Sequence, residues 1–166
     1  MARGVTDRWT PEGARFFGEL RKLAALEVRV GFTAGGAGRG ANGEPVSAEE
    51  CGSGATVAEI AAFNEFGTEH IPARPFMRQS AENNKDAISA MCRIQMEALA
   101  RGETDADGAL RALGALQVGL VQHEMTEGGF AENAESTKKR KDSSMPLIDT
   151  GRMRQSVHYV VGAREG

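Results

Sequence analysis

The sequence predicts an α+β fold: a small antiparallel β-sheet packed against two or three long α-helices, with a long Gly-rich loop. Three observations carry that expectation. Leu26, Val28, Val30 and Phe32 alternate with Glu27, Arg29, Gly31 and Thr33, the period-two pattern of a strand with one buried face. Near the other end of the chain, Val157-His158-Tyr159-Val160-Val161 is rich in β-branched and aromatic residues and is the natural partner of that strand. Between them lie long segments of helical periodicity, which need a sheet face or another helix to bury their apolar stripes.

Taken in order, residues 11–24 read as an opening helix, with Thr10 as cap, Pro11 at the first helical position, and Phe16, Leu20 and Leu23 on one face. The strand around Val28 follows. Residues 34–55 are Gly-rich with little apolar content and are expected to form a mobile loop, too long for an ordinary connection. Thr56 and Glu59 then make a capping box. Val57, Ile60, Ala61 and Asn64 follow at helical spacing, with Phe63 and Phe66 widening the face.

Gly67 stops that helix. Pro72 and Pro75 then forbid regular helix or central strand across Ile71–Phe76. A stiff connector of this kind either covers its own core or plugs into a neighbouring surface. A helix is expected over 77–100, with Ile88, Met91, Cys92, Gln95 and Leu99 on one face. Another spans about 105–127, with Leu110, Leu113, Leu116, Gln117, Leu120, Val121 and Glu124 at helical spacing. Gly114 and Gly119 inside it point to close packing, and Gly128-Gly129 end it. A basic loop over 128–146 leads to a short helix, capped by Asp149 or Thr150, that delivers the chain into the final strand.

The 166 residues, 17.7 kDa, are expected to form a single domain. Aromatic residues make up only 5% of the chain and 21 residues are Gly, which points to a modest core with irregular stretches. A formal charge of −3 and a pI near 5.7 give no global pull toward nucleic acid or anionic membrane. No apolar run approaches membrane-spanning length and no signal peptide is evident, so synthesis in the cytosol is expected. Cys51 and Cys92 share no short spacing and are expected to be reduced thiols.

Catalytic patterns do not emerge. Gly38-Arg39-Gly40-Ala41-Asn42-Gly43 matches G-x-G-x-x-G in letters, but Glu44-Pro45 follows where a dinucleotide site needs a helix N-terminus to meet the phosphates. His70, His123 and His158 are dispersed, without metal-ligand spacing. Convergence of Glu65, His70 and Asp149 in space would be the one route to a catalytic group. The expectation is therefore no enzyme, no metal and no cofactor. Lys138, Lys139, Arg140 and Lys141 form a cationic run that is either a solvated loop or a phosphate contact; the second makes a small nucleic-acid-binding module the alternative function.

Two stretches together carry a family resemblance: N-E-F-G-T…I-P-A-R-P-F from Asn64 to Phe76, and P-L-I-D-T-G-R-M-R-Q-S from Pro146 to Ser156, leading into a strand. The pair resembles the head–tail connector and tail-completion (neck) proteins of long-tailed bacteriophages, the group that includes minor tail protein Z-like proteins. The order of elements over residues 16–162 is similar too, apart from the Gly-rich insertion. The resemblance implies a subunit of a homo-oligomeric ring at the junction of capsid and tail, localised in the virion, that joins or closes the tail without catalysis. Implied partners are other neck proteins, portal-side adaptors and tail terminator or tail-tube proteins; the basic loop would face either packaged DNA or an acidic neighbour. Carried over by position, Glu65, Phe66, Gly67, Thr68, Ile71, Pro72, Arg74, Pro75 and Phe76 would form one interface element. Leu147, Asp149, Thr150, Gly151 and Ser156 would form the second.

Overall fold

The computed structural model describes residues 9–32, 38–39, 45–46, 56–131, 147 and 151–164. Helix α1 (Pro11–Ala25) is capped by Thr10, whose hydroxyl accepts from the Gly13 N–H at 3.1 Å, and runs without a loop into strand β1 (Leu26–Gly31). Two short strands follow, β2 (Gly38–Arg39) and β3 (Pro45–Val46). They tie two points of the Gly-rich segment to the sheet, where the sequence led us to expect only a loop; the rest of that segment lies outside the described residues. Pro45 is accommodated because β3 is an outer strand, where a missing donor costs no ladder bond.

Helices α2 (Val57–Phe66), α3 (Phe76–Asn83), α4 (Lys85–Arg101), α5 (Ala106–Glu127) and α6 (Arg152–Gln155) precede the last strand, β4 (His158–Ala163). The single helix expected over 77–100 is divided at Asn84 (φ −114, ψ 21), whose side chain donates back to the Ser80 carbonyl at 2.8 Å. Such a local side-chain bond offers the backbone an alternative to continuing the helix. The short helix after residue 150 is capped by Gly151 in the left-handed conformation, with no side-chain cap bond, rather than by Asp149 or Thr150.

The strands form one antiparallel sheet of order β1-β4-β2-β3. The main pair sets Val28 opposite Val161 and Val30 opposite Tyr159, so both apolar faces point the same way. Helix α5 lies under this pair and is the spine of the molecule, packing against α1, α3, α4, α6, β1 and β4. Its cap is Asp105, which accepts from the Gly108 N–H at 2.8 Å. Val118, Val121 and Met125 meet Phe76, Leu147, Val157 and Tyr159 in the core. Gly114 is required by that contact: a Cβ there would lie 2.5 Å from the Tyr159 ring. Gly119 faces open space, so the packing role expected of both glycines holds for one. On α4 only Leu99 is buried and Cys92 is exposed, because that helix packs chiefly along one seam with α5.

Candidate assembly interface

The chain from Asn64 to Phe76 folds into a clip at the C-terminal end of α5. Its first cause is local. The capping box at Thr56 and Glu59 forms as the sequence predicts, the Thr56 N–H donating to the Glu59 carboxylate at 2.8 Å and its hydroxyl accepting from the Glu59 N–H at 3.3 Å. The Thr56 N–H, and after it the Thr56 hydroxyl donating at 3.0 Å, hold the Glu59 carboxyl below the usual carboxylate range. At the other end of α2, Gly67 takes φ 76 and ψ 171, a region essentially reserved for glycine. A Cβ there would also lie 2.9 Å from the Ala73 nitrogen.

Beyond Gly67 the motif's polar groups are consumed internally. The Thr68 N–H donates to the Ile71 carbonyl at 2.9 Å, and the Thr68 hydroxyl accepts from the Ile71 N–H at 3.1 Å. The Arg74 N–H donates to the Asn64 carbonyl at 2.6 Å. Its guanidinium donates to the Asn64 side-chain oxygen at 3.1 Å and to the Ala131 carbonyl at 2.8 Å. Glu65 reaches forward to cap α3, accepting from the Met77 N–H at 2.9 Å and the Arg78 N–H at 3.1 Å. That helix has no side-chain cap from Pro75, so a carboxylate from the preceding helix satisfies donors otherwise left orphaned.

This corrects part of the expected interface. Arg74 is only 3% exposed and Phe76 0%; both belong to the chain's own core, and burial pushes the Arg74 pKa down from the usual arginine range. A guanidinium wired to a carbonyl and an amide on two segments fastens the clip to the end of α5 and offers nothing to a neighbour. Leu147 and Ser156 are buried as well. The Ser156 hydroxyl donates to the Arg152 carbonyl at 2.8 Å, closing α6. Glu65, Gly67, Ile71, Pro75 and Gly151 are half-buried, Thr68 and Pro72 exposed.

What the clip leaves outside is aromatic. Phe66 is 81% exposed and Phe63, three residues earlier on the same helix, 45%. The sequence reading placed both at the edge of the buried face. Helix α2 instead buries Val57 and Ala61 and has more apolar residues than one face can cover. Phe63 and Asn64 are the residues missed as site members; the i, i+3 spacing of Phe63 and Phe66 was the available signal.

The two motifs, distant in sequence, are brought together. Helix α6 packs against α2 and α5, and the Gln122 side chain donates to the Arg154 carbonyl at 3.1 Å. Asp149 and Thr150 lie outside the described residues, as do Lys138, Lys139, Arg140 and Lys141. Among the described residues no group of three His, Cys, Asp or Glu side chains could hold a metal ion, and no helix is long and apolar enough to cross a membrane. His70 is exposed while Glu65 is engaged at α3. A cleft of about 140 Å³ between β1, α3, α4 and α5, lined by Val30, Met77, Ile88, Leu120 and Val121, carries no charged group. Set against known proteins, the chain matches no family model, no curated protein and no solved structure.

Proposed function

We propose that this protein is a structural virion subunit of a tailed phage that assembles into a ring at the head–tail junction and joins or closes the tail there, without catalysis or cofactor. The single observation that carries the reading is the packing of α6 on α2. It unites the two sequence elements that resemble neck proteins in one end of the molecule, and that end displays Phe63 and Phe66. An exposed aromatic pair on a pinned backbone is the composition of an interface anchor, since little conformational entropy remains to be lost on binding. Residues 57–73 contain Glu59, Glu65 and Glu69 and no Lys or Arg. The neighbour in the neck therefore offers an apolar pocket with cationic rims.

The experiment is to place Phe63→Ser and Phe66→Ser together in the phage that encodes the chain. The expected outcome is a folded protein at normal abundance, with filled heads and tails accumulating separately in electron micrographs. Joined, infectious particles at wild-type yield from that double variant would refute the reading.

A further inference from the structure

Among the described residues strand β1 is an edge of the sheet, with β4 as its only ladder partner. The Arg164 N–H donates to the Ala25 carbonyl at 2.9 Å, which fixes the phase of that ladder: Glu27, Arg29 and Gly31 exchange bonds with β4, while Leu26, Val28 and Val30 turn their main-chain groups away from it. The Leu26 N–H is taken by the Leu23 carbonyl. Among the described residues Val28 and Val30 make no main-chain bond beyond the β1–β4 ladder. Natural sheets protect such an edge with charged side chains, Pro or a bulge; Leu-Glu-Val-Arg-Val-Gly has no Pro, and its charges, Glu27 and Arg29, are of opposite sign.

The edge is also complementary to itself. Set antiparallel to a second copy about a two-fold axis through Val28, the strand places Val28 opposite Val28 and Leu26 opposite Val30. Each Val28 exchanges both main-chain bonds with its mate, and each Val30 N–H reaches the other copy's Leu26 carbonyl. The same register places Glu27 opposite Arg29 at both ends of the pair, on the outer face, in the non-hydrogen-bonded positions where Cβ atoms come within roughly 4.5–5.5 Å. Glu27 and Arg29 already form an ion pair within one strand, so the crossing charges lie on one face. On the inner face, Val30 borders an uncharged cleft with Met77, Ile88 and Leu120 that has no β4 residue in its lining; Leu26 of the second copy, set opposite Val30, would extend that apolar face.

From this charge complementarity and the unspent main-chain groups we infer that β1 pairs with β1 of a second copy, joining two sheets into one across a two-fold axis. The contact is isologous. It shares no residue with the Phe63–Phe66 end; because a single polar ring has no two-fold axis between its subunits, the pair is a state of the free protein, separate from the ring.

The test is solution mass by sedimentation equilibrium for the wild type, Glu27→Arg, the double variant Glu27→Arg/Arg29→Glu, and Val28→Pro. The wild type is expected at twice 17.7 kDa. Glu27→Arg sets like charges opposite each other at both ends of the pair and is expected to weaken association at least tenfold, while the double swap restores it. Val28→Pro removes a donor that β4 does not use and is expected to give monomer with the wild-type circular dichroism spectrum. Because Glu27→Arg leaves the main chain and the inner face unchanged, and the double swap restores the ion pair within the strand, the outcome does not hinge on Val28→Pro folding. A wild type that stays monomeric at the highest concentration reached overturns the proposal. So does any oligomer whose mass ignores Glu27→Arg, or a folded double variant that fails to reassociate.

Discussion

The two ends of α5 both display aromatic side chains, and they are held in different ways. At the C-terminal end, Phe63 and Phe66 stand on a backbone pinned by the buried Arg74, by Glu65 at α3 and by Gly67. At the N-terminal end, roughly 30 Å away along the helix, Trp9 and Phe17 are exposed with ring centroids 4.1 Å apart, on a helix α1 with no buried residue. That helix is tethered by Arg15 donating to the Leu99 and Ala100 carbonyls at 3.4 and 3.3 Å, and by Glu19 accepting from the Ala106 N–H at 2.9 Å. The difference separates display from looseness. An aromatic residue on locked backbone is ready for a partner, whereas one on a helix held by surface contacts opens on a low-energy excursion.

The largest effect that would break this contrast is loss of Arg74. Arg74→Ala removes a buried side chain and its charge-assisted bonds to the Asn64 amide oxygen and the Ala131 carbonyl and is expected to cost about 2–3 kcal/mol in urea unfolding. A cost near zero would show that the clip is not pinned. Next is Gly67→Ala, which forces a side chain into a glycine-only conformation against Ala73, at about 2 kcal/mol by the same measurement. Glu65→Ala uncaps α3 and should cost about 1 kcal/mol, with faster amide exchange confined to the first turn of that helix.

The smallest effects sharpen the other side. Phe66→Ser, at an exposed position, should change stability by no more than about 0.5 kcal/mol while removing the aromatic anchor. At the α1 end, the Glu19 carboxyl is held below the usual range first by Lys22 and then by the Ala106 N–H. A depressed folded-state pKa gives a contribution that is complete above the unfolded value and lost as pH falls through the folded one. Amide exchange in α1 should therefore accelerate on acidification through the carboxylate range before exchange at the Arg74 clip does. Glu19→Gln should bring that acceleration to neutral pH.

Legibility followed the reach of each interaction. Thr10 with Pro11 and Thr56 with Glu59 could be read directly, because a cap meets its partner within one turn. The register partner of β1 was legible in kind, since alternation names the buried face of each strand. Arg74 was not legible as a buried residue: the carbonyl that holds it belongs to Ala131, beyond the end of α5. Nor were Phe63 and Phe66, whose periodicity marks them as apolar neighbours of a buried face without saying how wide that face is. The organising element is α5, which touches helices and sheet on several sides, a role that its helical spacing alone does not announce.

The sequence by itself determined the main helices and the β1–β4 strand pair, that a sheet closes against helices, and that Ile71–Phe76 is stiff, because dihedral restriction, capping and hydrophobic period act over a few residues; it did not show the division at Asn84 or the short strands β2 and β3. Only the tertiary structure decided which side chains of that stiff segment turn inward, that the two motif elements meet, and that β1 is an edge among the described strands. Those outcomes depend on which surfaces compete for burial and which main-chain groups find partners, and that competition is settled by residues far apart in the chain.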